Sequence, residues 1–281
     1  MISKLTLGTA QLGQLYGIAN TAGKPSERIA HEIISTFLHN DITCIDTAPV
    51  YGASELIIGE YLSNHPSKCT VVTKIPKLEY PHHTFKEVYP IVKTWLDTSL
   101  VGLRMKYIPI YLVHEVSQLD IIYESLLRLK QERLIDKIGV SICEPKELEK
   151  SLKFDEIEVF QLPINVFDHR FIPYLPKLSG KIVFARSIFL QGYLFTNNKY
   201  TKILRKMCND FETNIREVAV SFVRDLPKVT SLVIGAETVN QVLDNVELIK
   251  SPKLPENLRN YIYKEFTDMP LEVIDPSKWR T

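Results

Sequence analysis

Short apolar runs recur along the chain, spaced so that one amphipathic helix fits between most neighbouring pairs. KLTLG (4–8), ITCID (42–46), CTVVTK (69–74) and YIPIYLVH (107–114) come first; KIGVS (137–141), EVFQL (158–162), KIVFAR (181–186) and SLVIG (231–235) follow. Most are near-continuously apolar rather than alternating, the pattern of strands covered on both faces. Between them, SERIAHEIISTFLHN opens on Ser26 as an N-cap after Pro25 and brings Ile29, Ile33, Ile34, Phe37 and Leu38 to one face. TFKEVYPIVKTWLDTSLVGL, QLDIIYESLLRLKQERL and TVNQVLDNVELIK carry the same spacing, with Pro90 expected to kink or restart the first. Eight strand signals alternating with helices, with no linker or low-complexity stretch, predict an α/β fold: one (β/α)8 TIM barrel, a single domain over residues 1–281. A doubly wound sheet is the rival architecture. GTAQLG, after the first run, lacks the G-x-G-x-x-G fingerprint expected there, which favours the barrel.

Composition narrows the function classes. A net charge of +1 with dispersed charges leaves no basic footprint for nucleic acid. The longest apolar runs are too short to cross a bilayer. Met1 leads straight into ISKLTLGTA with no basic or long apolar leader, so the expected location is the cytoplasm. Cys44, Cys69, Cys143 and Cys208 form no C-x-x-C pair, and three of them stand in apolar, strand-like contexts. They read as reduced core residues, with no metal site expected.

Polar residues fall at one place in each unit. Asp46, Lys74 and His114 end the second, third and fourth runs, and Ser141, Gln161, Arg186 and Gly235 end later ones. In a barrel these carboxyl ends open on one face, where active sites are built. CIDTAPVYGASELIIGEYL adds Tyr51 just beyond Asp46, with Ser54 expected to cap the helix that follows. Each residue alone has an ordinary reading: a turn former, a surface lysine, a loop aromatic, a satisfied strand-end histidine. Together they suit carbonyl reduction. Hydride addition leaves a developing alkoxide that needs a proton, and a free tyrosine is a weak acid at neutral pH. A lysine ammonium beside the phenol stabilises its conjugate base, and a carboxylate holds that lysine charged. A histidine across the pocket orients the reacting oxygen.

IDTAPVYGASELIIGEYL, VVTKI and YLVHE resemble the signature segments of the aldo-keto reductase superfamily, in order and at familiar spacing. LIDKIGVSICEP, VFQLPINVFD, ARSIFLQGYL and VIGAETVNQVLDNV extend the likeness over roughly residues 4–250. The resemblance implies an NAD(P)H-dependent oxidoreductase interconverting an aldehyde, ketone or sugar-like carbonyl and its alcohol. Tyr51 would be the general acid, tuned by Lys74 and Asp46, with His114 orienting the carbonyl. It further implies that Ser141 and Gln161 hold the nicotinamide carboxamide, Thr9 and Arg186 contact the same end, Asp46 also contacts the cofactor, and Ser187, Phe189, Gln191 and Gly192 wrap the pyrophosphate. Gly235, Ala236, Glu237, Thr238, Gln241 and Asn245 match the adenosine end.

Three departures stand out. Ile142 replaces the asparagine usual after the fifth-strand serine. Gly235 and Gln241 stand where relatives often carry Lys or Arg for the 2′-phosphate, and Glu237 adds a negative charge nearby. NADP(H) stays favoured as what the resemblance implies, but these departures make NAD(H) a stronger alternative than usual. The tail after the last barrel helix is short, so an open pocket for a polar or sugar-like substrate is expected, with Trp279 or Phe266 as candidates to fold across it. Two other functions compete: a cofactor-sensing or partner-binding barrel with little turnover, and a lyase forming a Schiff base on Lys74. The second needs a neutral lysine, which Asp46 opposes. Oligomeric state is not legible.

Overall fold

The computed structural model describes residues 2–20, 23–78 and 84–279. Eight parallel strands close into a barrel in chain order: β1 (Leu5–Gly8), β2 (Cys44–Asp46), β3 (Thr70–Ile75), β4 (Ile108–Val113), β5 (Ile135–Ser141), β6 (Ile157–Pro163), β7 (Ile182–Arg186) and β8 (Ser231–Gly235). Every expected strand is present, with ends shifted by no more than two residues. The doubly wound alternative is excluded because β8 pairs back onto β1.

Two apolar layers hold the barrel. Its outer face packs against the surrounding helices through one large cluster, while Cys44, Val72, Ile110, Leu112, Val159 and Phe184 form a small cluster of their own. Strand side chains alternate with a period of two. The residue two positions beyond an inner apolar residue therefore points the same way, nearer the carboxyl rim. Cys44 leads to Asp46, Val72 to Lys74, Leu112 to His114, Val159 to Gln161 and Phe184 to Arg186. One periodicity fills the interior and delivers the polar set to one end.

Register makes those ends level. Gly8 lies opposite both Asp46 and Gly235, Ser141 opposite Gln161, and Pro163 opposite Arg186.

The helices follow their start signals. Helix α1 (Ala10–Gly13) is a single turn directly after β1. Helix α2 (Glu27–His39) begins on Ser26, whose hydroxyl accepts from the Ile29 amide, and buries Ile33, Ile34 and Phe37 with Ile29 and Leu38 at the margins. Helix α3 (Ser54–Asn64) precedes α4 (Phe85–Leu103), which opens on a Thr84–Glu87 capping box. Pro90 does not restart α4, which is one continuous helix. The proline forfeits a single backbone bond, to the carbonyl of residue 86, and the surrounding turns persist. Helices α5 (Leu119–Gln131), α6 (Pro145–Ser151), α7 (Lys199–Asp210), α8 (Ile215–Arg224) and α9 (Val239–Lys250) complete the outer ring, with α10 (Glu256–Phe266) and a short α11 (Leu271–Ile274) beyond it.

Cys44 and Cys208 are buried and Cys69 is half-buried, but Cys143 is exposed. It sits past the end of β5, where the chain has left the sheet. Phe266 is buried edge-on against Phe167, and Trp279 stacks on Tyr193 with ring centroids 5.3 Å apart. Among the described residues, no helix is long and apolar enough to cross a membrane.

Helices α3 and α4 touch at backbone distance. A Cβ on Gly59 would lie 2.2 Å from the Gly102 carbonyl oxygen and 2.7 Å from the Leu103 Cα. A Cβ on Gly102 would meet only side chains at ordinary contact distance, Glu55 at 3.5 Å and Leu56 at 3.8 Å. Gly59→Ala should therefore cost about 1–3 kcal/mol by overpacking, whereas Gly102→Ala should be neutral or gain up to about 1 kcal/mol of helix propensity. Urea unfolding of both variants checks this, and equal effects would refute the asymmetry.

Candidate active site

The site begins with a buried ion pair. Lys74 Nζ donates to both Asp46 carboxylate oxygens at 2.9 Å and to the Thr47 carbonyl at 2.8 Å. All three ammonium protons are thus matched. Burial works against the charge on Lys74, but Asp46 outweighs it, and the lysine is held above its ordinary value. Gln161 Nε2 donates to Asp46 Oδ1 at 2.7 Å, tying β6 across the barrel to β2.

Tyr51 is aimed at this pair by its loop. The turn after β2 closes through Tyr51 N to the Ala48 carbonyl at 3.0 Å and Ser54 N to the Tyr51 carbonyl at 3.2 Å. Helix α1 presses on that turn. A Cβ on Gly13 would fall 1.7 Å from the Tyr51 carbonyl oxygen, and one on Gly52, at φ 60°, would fall 2.5 Å from the Gly13 carbonyl oxygen. Lys74 Nζ lies 4.9 Å from the Tyr51 ring centroid, and His114 meets that ring edge-on at 6.5 Å.

Ser54 does not cap α3. Ala53 holds the cap position, while the buried Ser54 hydroxyl donates to Thr9 Oγ1 at 2.7 Å and accepts from Thr47 Oγ1 at 3.0 Å. Thr9 Oγ1 in turn donates to the Asp46 carbonyl at 2.9 Å. A hydroxyl chain therefore fixes the backbone under the ion pair, and capping was the wrong expectation because α3 starts one residue early. Glu55 is buried behind β3, where it accepts from Thr73 Oγ1 at 2.6 Å, and burial raises its carboxyl.

One cleft of about 630 Å³ opens above these groups. Its wall brings together Asp46, Tyr51 and His114 with Thr9, Ser141, Gln161 and Arg186. The same wall continues through Ser187, Phe189, Gln191 and Gly192 to Gly235, Glu237, Gln241 and Asn245. Lys74 lies beneath the wall. Ala236 and Thr238 are off it: Ala236 is buried in the core, and the Thr238 hydroxyl accepts from the Gln241 amide to cap α9. Their expected cofactor contacts are therefore not supported by position. Trp279 and Phe266 do not line the cleft.

Loop geometry fits an anion between the two ends. Ser187, Leu190, Gln191 and Gly192 have φ of 62°, 48°, 52° and 94°, left-handed residues in the loop after β7, of which Ser187, Gln191 and Gly192 line the cleft. Such strain in non-glycine residues clusters at ligand sites, and turned backbone of this kind presents N–H groups to phosphates. The Ile18 amide donates to the Gln191 carbonyl at 3.0 Å, so the β1 loop closes over this segment.

Tyr16, Glu115, Cys143 and Arg216 are among the wall residues missed from sequence. Tyr16 projects from the β1 loop; burial, with Tyr51 next, pushes its phenol up to about 12, so it stays protonated. Its signal was an aromatic after the first strand end, in GQLYG. Cys143 lies beside Arg186, whose Nη2 donates to its sulfur and to the Ile142 carbonyl, each at 3.1 Å. Glu115 follows His114 on the rim. Arg216 comes from α8, whose helical pattern in NIREVAVSFV was not singled out. Among the described residues, no group of three or more His, Cys, Asp or Glu is placed to hold a metal ion.

Comparison with known proteins assigns the fold to a family. The sequence profile of the Aldo/keto reductase family matches residues 4–263. The chain belongs to that family. An uncharacterized oxidoreductase of Bacillus subtilis, YqkF, is 23% identical over 286 residues, spanning 90% of this chain and 93% of that protein. Aldo-keto reductase AKR11C1 of Bacillus halodurans, in its holo form, superposes with a TM-score of 0.78 at 22% identity over 94% of this chain and 92% of that one. The glycerol dehydrogenase AKR11B4 of Gluconobacter oxydans gives 0.74 at 22% identity, over 98% of this chain and 94% of that one. This aldo/keto reductase is accordingly an oxidoreductase.

His114 offers a stability test. Burial first, then the Lys74 ammonium and the Arg186 guanidinium, pushes its imidazole from 6.5 down to about 4. The unfolded chain therefore takes up a proton near 6.5 that the folded chain refuses until about 4. Its stabilising contribution is present above pH 6.5 and is lost as pH falls toward 4. Replacing His114 with Gln should flatten the fall in stability between pH 7 and pH 4.5 by about 1–3 kcal/mol. Urea midpoints at both pH values decide it; parallel pH profiles for wild type and variant would refute it.

Proposed function

We propose that this aldo/keto reductase is an NAD(P)H-dependent enzyme that reduces a carbonyl to an alcohol, or runs the reverse reaction, with Tyr51 as the general acid and base. The observation that carries the reading is Tyr51 beside a fully buried Lys74 that Asp46 keeps charged, facing His114 across the cleft. A positive charge fixed near a phenol lowers the cost of its phenolate, which is what a tyrosine acid needs at neutral pH. His114, held neutral, offers a hydrogen bond to the carbonyl oxygen without competing for the proton.

The cleft fits an extended dinucleotide. Its wall includes Tyr51, Asn245 and the left-handed residues of the loop after β7. Ser141, Gln161, Thr9 and Arg186 would hold the nicotinamide end, Ser187, Phe189, Gln191 and Gly192 the pyrophosphate, and Gly235, Glu237, Gln241 and Asn245 the adenosine end. When bound, the nicotinamide supplies the hydride. NADP(H) is favoured and NAD(H) is the alternative. No metal is required by this chemistry.

A polar aldehyde or sugar-like carbonyl suits the cleft, where Tyr16 and Glu115 supply hydrogen-bonding groups near Tyr51 and His114. The lyase alternative is disfavoured because a lysine with three matched protons beside a carboxylate is not a free amine. The whole chain acts as one catalytic domain in this proposal.

Either reduced cofactor should bind the purified chain saturably without added metal. Titration of NADPH and NADH followed by nicotinamide fluorescence tests this, and no saturable change with either sinks the reading.

Tyr51→Phe should lower kcat for a reactive aldehyde by about 10²–10⁴-fold while leaving cofactor affinity within about twofold. The ring remains, so the turn keeps its packing, and only the group acting in the transition state is removed. Lys74→Met is the poorer probe, since it strands a buried carboxylate at a cost of about 3–5 kcal/mol. Turnover in Tyr51→Phe near that of wild type would reject Tyr51 as the acid.

A further inference from the structure

Two cations line the cleft among the described residues, Arg186 and Arg216. Arg186 is engaged at the nicotinamide end with the Ile142 carbonyl and Cys143. Arg216 stands alone at the other end, reaching the wall from the first turn of α8. Its Nη1 donates to Asp244 Oδ2 at 2.9 Å and its Nη2 to Asn245 Oδ1 at 3.2 Å. Asn245 is fixed in turn by donating from Nδ2 to the Gly235 carbonyl at 3.4 Å. These bonds aim the guanidinium at the mouth of β8, with its carbon 5.9 Å from the centroid of the Phe189 ring. A guanidinium has five N–H groups, and these bonds use two of them. Three remain for a ligand, and the side chain keeps about a third of its surface open.

We propose that Arg216 recognises the 2′-phosphate of NADP(H), in place of the cations absent at Gly235 and Gln241. The proposal rests on the nicotinamide-cofactor reading above. Gln241 is a weaker candidate for the task, because it is uncharged and its Oε1 is tied to the Glu237 amide at 2.7 Å, leaving only a neutral Nε2 to offer. A phosphate carrying close to two charges is a stronger partner for a guanidinium than one carboxylate, and planar donors suit it. Asp244 is then the competitor: it holds Arg216 in place in the free protein and repels the incoming phosphate. A purely structural Arg216, stapling α8 to α9, would affect stability and both cofactors alike.

The test measures dissociation constants of NADPH and NADH by fluorescence, and of adenosine 2′,5′-bisphosphate and 5′-AMP by calorimetry, on the full chain. Arg216→Ala should weaken NADPH and the bisphosphate at least tenfold and change NADH and 5′-AMP less than twofold. Arg216→Lys should restore part of the loss. Asp244→Asn should tighten NADPH several-fold and leave NADH unchanged. Raising salt should weaken NADPH binding to wild type more steeply than to Arg216→Ala. Equal losses for both cofactors, with a lowered unfolding midpoint, would make Arg216 a structural staple and overturn the proposal. Tighter binding of NADH than NADPH by wild type, unchanged in Arg216→Ala, would assign the tail to Glu237 accepting a 2′-hydroxyl and also overturn it. Failure of wild type to bind either cofactor would overturn the cofactor reading itself, a result distinct from both.

Discussion

The ion pair between Lys74 and Asp46 is the constraint on which the rest of the site depends. Taking an ammonium and a carboxylate out of water costs several kcal/mol per ion, and their attraction repays this only when geometry and further hydrogen bonds are nearly complete. Here they are: Lys74 donates three times, and Asp46 gains a third donor from Gln161. Lys74 comes from β3, Asp46 and Thr47 from the end of β2, and Gln161 from β6 across the barrel, so the full set of bonds is complete only once the barrel has closed in register. The charge on Lys74 and barrel closure are therefore coupled. The ammonium next to Tyr51 is charged because the barrel is intact, and the barrel tolerates a buried charge because that charge is matched.

The surrounding structure serves the backbone below the pair. Thr9, Ser54 and Thr47 pass hydrogen bonds to the Asp46 carbonyl and around the turn that carries Tyr51. The interlocked Gly13 and Gly52 leave that turn little room to shift. In the role proposed for Tyr51, a phenol displaced by about 1 Å would lose much of its effect on a reacting oxygen. Placing the tyrosine on a tight turn, braced by a buried hydroxyl chain, answers that demand more firmly than a long loop would.

How much of this could be read from the chain follows from what carries each feature. The barrel and the polar rim were legible because strand alternation is a local rule: two residues beyond Cys44, Val72, Leu112, Val159 and Phe184 stand Asp46, Lys74, His114, Gln161 and Arg186. Ser54 was misread because Ser in front of an apolar run looks like a cap, and only tertiary packing brings Thr9 and Thr47 to its hydroxyl. Cys143 looked like core because it follows a buried strand closely. Tyr16 and Arg216 were missed for another reason. One lies on a loop and the other on the first turn of an outer helix, where no periodicity announces which residues face a cleft.

That division has a physical consequence for how such an enzyme changes over time. The end around Tyr51 is built on the buried strand residues Asp46, Lys74, Ser141 and Gln161, so altering Asp46 or Lys74 would disturb the fold as well as the proposed chemistry. The far end is built from α8, the loop after β7 and the mouth of β8, with Arg216 and its partner Asp244 both partly open to water. Exposed pairs of that kind contribute about 0–1 kcal/mol to stability. Residues there are free to exchange a cation on α9 for one on α8 without a folding penalty. A cation lost at one position of the tail end and gained on another helix is what independent tuning of the two ends would leave behind.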